Sequence, residues 1–132
     1  MQEIHLQTNS RIEMIDITAS VQAVVDSKKI SNGLCIIFTP HTTAAITINE
    51  NADPDVPIDI ISALEKAFPQ NADYRHAEGN SPAHAKSSLV GASELVLIED
   101  GRIVLGTWQS IFFCEFDGPR SRKIFLSIIS GD

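Results

Sequence analysis

Three of the four histidines stand at positions where a side chain can take part in chemistry. His41 follows a run typical of a buried strand, His76 lies in a segment without hydrophobic periodicity, and His84 falls in the first turn of a predicted helix. Neutral imidazole is a common metal ligand, and three imidazoles leave a coordination position open for water or substrate. We therefore predict a divalent metal on these histidines, with zinc, nickel or manganese favoured by nitrogen ligands and magnesium by nearby carboxylates. Their spacing matches no standard zinc signature, and histidines that only form hydrogen bonds at loop ends would occupy the same positions.

Two carboxylates and an aromatic-amide pair complete a candidate catalytic set. Glu50 and Glu78 suit proton transfer or the orientation of His76, and Trp108 beside Gln109 can stack on and hydrogen-bond to a flat heterocycle. Each has a structural alternative, since Glu50 precedes a helix whose dipole favours acids and a lone Trp in a strand commonly lies in the core. We predict catalytic roles for Glu50, His76, Glu78, Trp108 and Gln109.

Candidate anion-binding residues lie in two other segments. Asn80 precedes a helix start at Ser81-Pro82, and the free N–H groups of a helix N-terminus bind phosphate. Arg120 and Arg122 flank a tight turn, and arginine matches phosphate geometry, although charges at a hairpin end also keep a sheet soluble. We predict that Asn80, Ser81 and Arg120 bind a phosphorylated small molecule.

Hydrophobic periodicity predicts the elements that carry these residues: a single α+β domain over residues 1–132, with a mainly antiparallel sheet or sandwich core and two or three helices. The predicted strands are two short strands or a hairpin within 3–17, then 34–39, 44–49, 95–98, 103–105, 111–116 and 123–129. The predicted helices begin at Thr18 or Ser20 and end at Asn32-Gly33, run from Asp55-Pro57 to Pro69, and run from Pro82 to Leu89 or Val90.

Composition excludes several classes of protein. Ten basic residues against 17 acidic ones give a net charge of −7, which argues against a nucleic-acid binder. No apolar run approaches the roughly 20 residues that a membrane helix needs, and the first residues show no signal peptide. Two cysteines, Cys35 and Cys114, lie in apolar runs, which favours buried reduced thiols and a cytoplasmic protein. No dinucleotide-binding, Walker A or nucleophile-elbow motif is present.

Three ordered blocks resemble a known family. They are His-Thr-Thr-Ala-Ala at 41–45 with Asn-Glu-Asn-Ala-Asp-Pro-Asp-Val at 49–56, Asp-Tyr-Arg-His-Ala-Glu-Gly-Asn at 73–80 followed by Ala83-His84, and Leu-Gly-Thr-Trp-Gln at 105–109 with Glu-Phe-Asp-Gly-Pro-Arg at 115–120. Together they resemble the secondary thiamine-phosphate synthase family, the YjbQ-like proteins, over residues from about 3 to 130.

The resemblance implies an α+β fold, a homotrimer, and a site near subunit contacts built from the histidine-bearing blocks. It also implies a weak transferase activity that joins hydroxymethylpyrimidine diphosphate to thiazole phosphate, giving thiamine phosphate and pyrophosphate. The alternatives are a non-catalytic trimer that binds a metal or a phosphorylated metabolite, and a module whose polar blocks serve only subunit packing.

Overall fold

The computed structural model describes residues 1–131, which form eight strands and three helices. The strands are β1 (Gln2–Gln7), β2 (Glu13–Asp16), β3 (Gly33–Phe38), β4 (Ala44–Glu50), β5 (Ser93–Glu99), β6 (Arg102–Ile103), β7 (Gln109–Glu115) and β8 (Ser121–Ser130). The helices are α1 (Thr18–Lys28), α2 (Asp55–Ala67) and α3 (Ser81–Val90). The predicted α+β class and the number of helices are confirmed.

Two antiparallel sheets form the framework. The first has five strands in the order β1-β8-β3-β5-β6, and the second has three in the order β2-β7-β4. The two N-terminal strands do not form a hairpin, because β1 pairs with β8 in one sheet and β2 pairs with β7 in the other. The alternation of residues 3–17 predicted either two short strands or a hairpin, and the structure shows two separate strands.

Helices and the larger sheet cover both faces of the three-stranded sheet. Phe113 packs against α1 and the five-stranded sheet, in a cluster that includes Val21 and Ile37. Its neighbour Phe112 points the other way and packs with Ala83 of α3. A strand that is buried on both faces needs apolar residues at consecutive positions. This explains the unbroken apolar run 111–114 in β7.

Helix boundaries agree with their sequence signals, with one exception. The first helix begins at Thr18, whose N–H donates to Asp16 Oδ1 at 2.9 Å. It ends at Lys28, before the predicted stop at Asn32-Gly33, because Lys29 adopts a left-handed conformation (φ 54°). Non-glycine residues seldom adopt this conformation, so the sequence carries little warning of the early stop. Within residues 1–131, no helix is long and apolar enough to cross a membrane.

The two cysteines are buried and unpaired, as predicted. Burial raises the pKa of the Cys35 thiol to about 11 and that of the Cys114 thiol to about 12. Both side chains are therefore small apolar core residues in the protonated form.

One face of the five-stranded sheet carries apolar side chains that are exposed or half-buried. Register places Leu34 of β3 between Leu97 and Ile129, and two residues further along it places Ile36 beside Leu95. Phe38 and Phe125 stack at the end of this band, with ring centroids 6.4 Å apart. We call these residues the apolar face: Leu34, Ile36, Phe38, Leu95, Leu97, Phe125 and Ile129.

Candidate functional site

A cavity of about 420 Å³ contains all three candidate metal-binding histidines. We call it the histidine cavity. Its lining includes most of the residues predicted from the sequence: His41, His76, Glu78, Asn80, His84 and Arg120. Ser81 stands beside it as the first residue of α3.

The antiparallel pairing of β4 and β7 brings these segments to one end of the molecule. Ala44, which starts β4, lies opposite Glu115, which ends β7. The loop before β4 therefore meets the turn after β7, and these carry His41 and Arg120 respectively. The third helix is held against the same strand, because Ser87 Oγ donates to the carbonyl oxygen of Ala44 at 2.6 Å.

His41 is held in one tautomer by the backbone. Its Nε2 accepts a hydrogen bond from the N–H of Lys123 at 3.0 Å, so the neutral ring carries its proton on Nδ1. Burial lowers the pKa of His41, and the nearby Arg122 guanidinium lowers it further. Its ring therefore favours the neutral form, with an Nδ1–H to donate. A metal at Nδ1 would have to displace that proton.

His76 and His84 form a pair across the cavity. Their ring centroids lie 5.5 Å apart and the ring planes meet at 82°, an edge-to-face arrangement. Within the part of the chain that the structure describes, no three His, Cys, Asp or Glu side chains are grouped so that they could hold a metal ion. The structure thus brings together a histidine pair, with His41 on the same cavity wall in its hydrogen-bonded tautomer.

Asn80, Asp117 and Arg120 form a hydrogen-bonded cluster at the start of α3. Asp117 Oδ2 accepts from Asn80 Nδ2 at 3.0 Å and from Arg120 Nη2 at 3.1 Å, and Arg120 Nε donates to the Asp117 carbonyl at 2.8 Å. Asn80 Oδ1 is buried and has no hydrogen-bond partner among the described residues. Leaving such an acceptor unpaired costs about 1–3 kcal/mol, so a donor from water or a ligand is expected there.

Arg120 retains donors that can reach a ligand. Its Nε and Nη2 are used on Asp117, while Nη1 makes no hydrogen bond within residues 1–131. About half of its side chain is exposed. Arg120 can therefore meet an anion without breaking its contacts with Asp117.

Arg122, which the sequence offered as a second cation for phosphate, is instead a buried structural residue. Its Nε donates to Glu115 Oε1 at 2.9 Å, and its Nη2 donates to Glu115 Oε2 and to Thr43 Oγ1. Thr8 Oγ1 also donates to Glu115 Oε1, at 2.7 Å. Burial alone would raise the pKa of Glu115, but the hydrogen bonds from Arg122 and Thr8 outweigh it and lower the pKa.

This network occupies both carboxylate oxygens of Glu115, so Glu115 is not an open oxygen ligand for a metal. One signal in the sequence could have predicted that Arg122 is buried and paired. Arg122 shares the inward phase of β8 with Ile124 and Leu126, which are core residues. A charge at an inward position needs a buried partner.

Glu50, Trp108 and Gln109 lie away from the histidine cavity. Glu50 pairs with Gln109 at the end of β4 that is opposite Ala44. Seven strand residues span roughly 20 Å, so within one chain Glu50 and Gln109 lie about that far from the histidine cavity. Trp108 is in the turn before β7 and is 62% exposed, so it is no core residue. Gln109 Oε1 accepts from the N–H of Gly106 at 2.8 Å.

Comparisons with known proteins agree on one family. The family described as "UPF0047 protein YjbQ-like" matches residues 2–131. A UPF0047 protein of Methanocaldococcus jannaschii is 52% identical over 124 residues, which cover 94% of this chain and 90% of that protein. The UPF0047 protein YugU of Bacillus subtilis is 49% identical over 130 residues, which cover 98% of this chain and 98% of that protein.

A solved structure shows the same fold. The crystal structure of an uncharacterised YjbQ/UPF0047 family protein from Clostridium acetobutylicum has a TM-score of 0.96 and 54% sequence identity. The match covers 98% of this chain and 100% of that one. The match to the family, the close relatives and the shared fold lead to one conclusion: the chain belongs to the YjbQ-like UPF0047 protein family.

Proposed function

We propose that the histidine cavity binds a phosphorylated small molecule and that the chain has a weak thiamine-phosphate-synthase-like transferase activity. The observation that carries the proposal is the convergence of donors in one cavity. The Nδ1–H of His41 and the unused Nη1 of Arg120 line the same space as His76 and His84. Arg120 supplies charge and the histidines supply donors, the combination used to hold phosphate.

The proposed reaction would use these groups on the leaving diphosphate. The bond between the pyrimidine methylene carbon and the diphosphate oxygen breaks, the thiazole nitrogen bonds to that carbon, and pyrophosphate leaves. Negative charge develops on the departing oxygen, and preorganised donors stabilise such charge most strongly. In this proposal Arg120 and the His41 Nδ1–H take this role, and His76 or Glu78, which line the same cavity, gives a proton to the departing pyrophosphate.

A complementation test checks this activity. A thiamine-requiring host that lacks its own thiamine-phosphate synthase should grow with the wild-type chain and fail to grow with His76→Ala. His5→Ala is the matched control, because His5 is a surface residue of β1 whose side chain is 73% exposed. If His76→Ala supports growth as well as the wild type and His5→Ala do, the assigned role of the cavity is wrong.

A second candidate function is metal binding without turnover. The His76–His84 pair favours it, with Glu78 on the same cavity. Untagged protein analysed by elemental mass spectrometry should then hold near-stoichiometric zinc, nickel, manganese or magnesium. The metal should be lost in His76→Ala and kept in His5→Ala. Absence of metal from the wild type, after reconstitution with each ion, would refute this candidate.

We propose that copies of the chain assemble through the apolar face, as a homotrimer in line with the resemblance. The face is an apolar patch on three neighbouring strands, interrupted at Ser127 of β8, with a projected area on the order of 250 Å² from ordinary strand spacing and rise. None of its seven residues is charged, so the faces of three copies can pack together around a threefold axis without burying a charge.

Substitution within the apolar face tests the assembly. Leu97→Glu should lower the mass measured by light scattering to that of one chain. Ile58→Glu on α2 should leave the mass unchanged, although Ile58 is as exposed as Leu97, at 61% against 55%. A wild type that is monomeric, or a Leu97→Glu variant that assembles normally, would contradict the proposal.

We place this activity in the cytoplasm. Cys35 and Cys114 are buried, unpaired thiols, which is the usual state of cysteines in a reducing compartment. Fractionation of cells that produce the untagged protein would check the assignment.

A further inference from the structure

A second cavity adjoins the histidine cavity. Its volume is about 630 Å³, and it shares Pro40, His41, Thr42 and His84 with the histidine cavity. The two are therefore parts of one continuous groove, with His41 and His84 at the junction. Both volumes fall within the roughly 300–1,000 Å³ typical of small-molecule sites.

The two halves differ in charge. Beyond the shared residues, the second cavity is lined by Phe38, Thr39, Ser87, Ser88, Gly91 and Ala92, none of which is ionisable. The histidine cavity adds Arg120, Asp117 and Glu78. We call the second half the neutral cavity. A charged group of a ligand is favoured in the histidine cavity, and an uncharged group is favoured in the neutral cavity.

The neutral cavity offers hydroxyl groups beside apolar carbon. The hydroxyls of Thr42 and Ser88 are on exposed residues and form no hydrogen bond with another part of residues 1–131. Ser87 is different, because its hydroxyl is already donated to the Ala44 carbonyl. Pro40 and Ala92 supply apolar carbon to the same cavity. A flat ring with polar edges would contact both kinds of group.

We infer that the ligand is a phosphate ester with an uncharged ring-sized body, and that this body occupies the neutral cavity while the phosphate occupies the histidine cavity. The inference rests on the proposed function, whose substrates are ring-bearing phosphate esters, and adds which cavity holds each part of such a ligand. In this placement, His41 and His84 stand beside the bond that links the phosphate to the body. Inorganic phosphate or pyrophosphate alone would fill only half of the groove.

Calorimetric titration with two probes tests the inference. Phenyl phosphate carries a ring and inorganic phosphate does not. The wild type should bind phenyl phosphate at least tenfold more tightly than inorganic phosphate. Ser88→Phe, which places a ring of protein in the neutral cavity, should remove this preference by weakening phenyl phosphate binding at least tenfold. Ser62→Phe is the matched control, because Ser62 is an exposed helical serine on α2 that lines neither half of the groove.

The outcomes separate the inference from the proposed function. Equal binding of the two probes by the wild type would overturn the inference and leave phosphate binding standing. Retention of the preference in Ser88→Phe would also overturn it. Failure of both probes to bind would refute the proposed function itself. If Ser88→Phe does not fold, as judged by circular dichroism, Ala92→Phe repeats the test from the segment that follows α3.

Discussion

Replacement of Glu115 by Gln should destabilise the protein strongly, because Glu115 is the only carboxylate that Arg122 contacts within residues 1–131. Glu115 is 0% exposed and Arg122 is 4% exposed. The glutamine keeps the size and one acceptor oxygen of the original side chain. It also turns an amide NH₂ toward the guanidinium in either orientation of the amide, because both oxygens of Glu115 accept from Arg122, and both sides would then be donors.

The size of the effect follows from the contacts that are lost. Arg122 would keep its hydrogen bonds to Thr43 but would be a buried charge without an opposite charge. Breaking one partner of a buried ion pair costs about 3–5 kcal/mol. The retained acceptor offsets part of this, so we expect a loss of about 3 kcal/mol in the free energy of unfolding. For a domain of this size, that loss lowers the Tm by about 10 °C.

Urea unfolding at one fixed protein concentration measures the effect, in the wild type, Glu115→Gln, Arg122→Met and the double variant. The double variant removes both charges, so it should be more stable than the sum of the two single losses predicts, by about 2 kcal/mol. Glu3→Gln is the control, because the Glu3–His5 pair lies on the surface and contributes about 0–1 kcal/mol at most.

At acidic pH, the difference in the free energy of unfolding between the wild type and Glu115→Gln should become smaller. The pKa of Glu115 is lowered by folding, so its contribution is fully present above its ordinary value of 4.5 and is lost as the pH falls through the lower folded value. The reasoning would be refuted if Glu115→Gln lost less than about 1 kcal/mol, the scale of an ordinary neutral hydrogen bond. Strictly additive single and double variants would refute it as well.

Three further predictions follow from the same contacts. Folding lowers the pKa of His41, so the wild type should lose stability as the pH falls below 6.5, and urea midpoints should show a smaller loss over that range in His41→Gln. Cys35 and Cys114 should react with an aromatic disulfide reagent only after unfolding, since their pKa values of about 11 and about 12 keep the buried thiols protonated; fast reaction of the native protein would contradict this. Gly118→Ala should cost about 1–3 kcal/mol in urea unfolding, because the added Cβ would lie 2.4 Å from the Ser10 carbonyl oxygen; a neutral substitution would show that the turn adjusts freely.

The sequence alone was sufficient for the elements whose signals are local. Alternation and apolar runs predicted the central strands, and Ser81-Pro82 correctly marked the start of α3, which ends at Val90 within the predicted range. Periodicity reports which residues are buried, and caps and turns act over a few residues, so neighbours in the chain carry this information. The early end of α1 at Lys28 escaped prediction, because a left-handed lysine leaves no compositional mark.

The candidate site was predictable in part for the same reason. Ends of elements and long polar loops commonly carry functional groups, which pointed to His41, His76 and His84, and the structure places all three on one cavity. The sequence could not show that Glu50, Trp108 and Gln109 lie at the opposite end of the same pair of strands. Closeness in sequence does not mean closeness in space when a strand lies between two residues. His41 and Glu50 belong to one family block, but the seven residues of β4 separate their positions by about 20 Å.

Only the tertiary structure decided how charge is distributed at the site. Arg120 and Arg122 look equivalent beside one turn. Yet Arg120 is about half exposed and its Nη1 makes no hydrogen bond with residues 1–131, while Arg122 is buried against Glu115 and Thr43. The difference arises because Arg122 is an inward-facing residue of β8, in phase with Ile124 and Leu126, whereas Arg120 lies in the turn before that strand. Only Arg122 is therefore a buried charge that needs partners from other segments. Sequence determined which residues were available, and long-range strand pairing determined which of them remained free to meet a ligand.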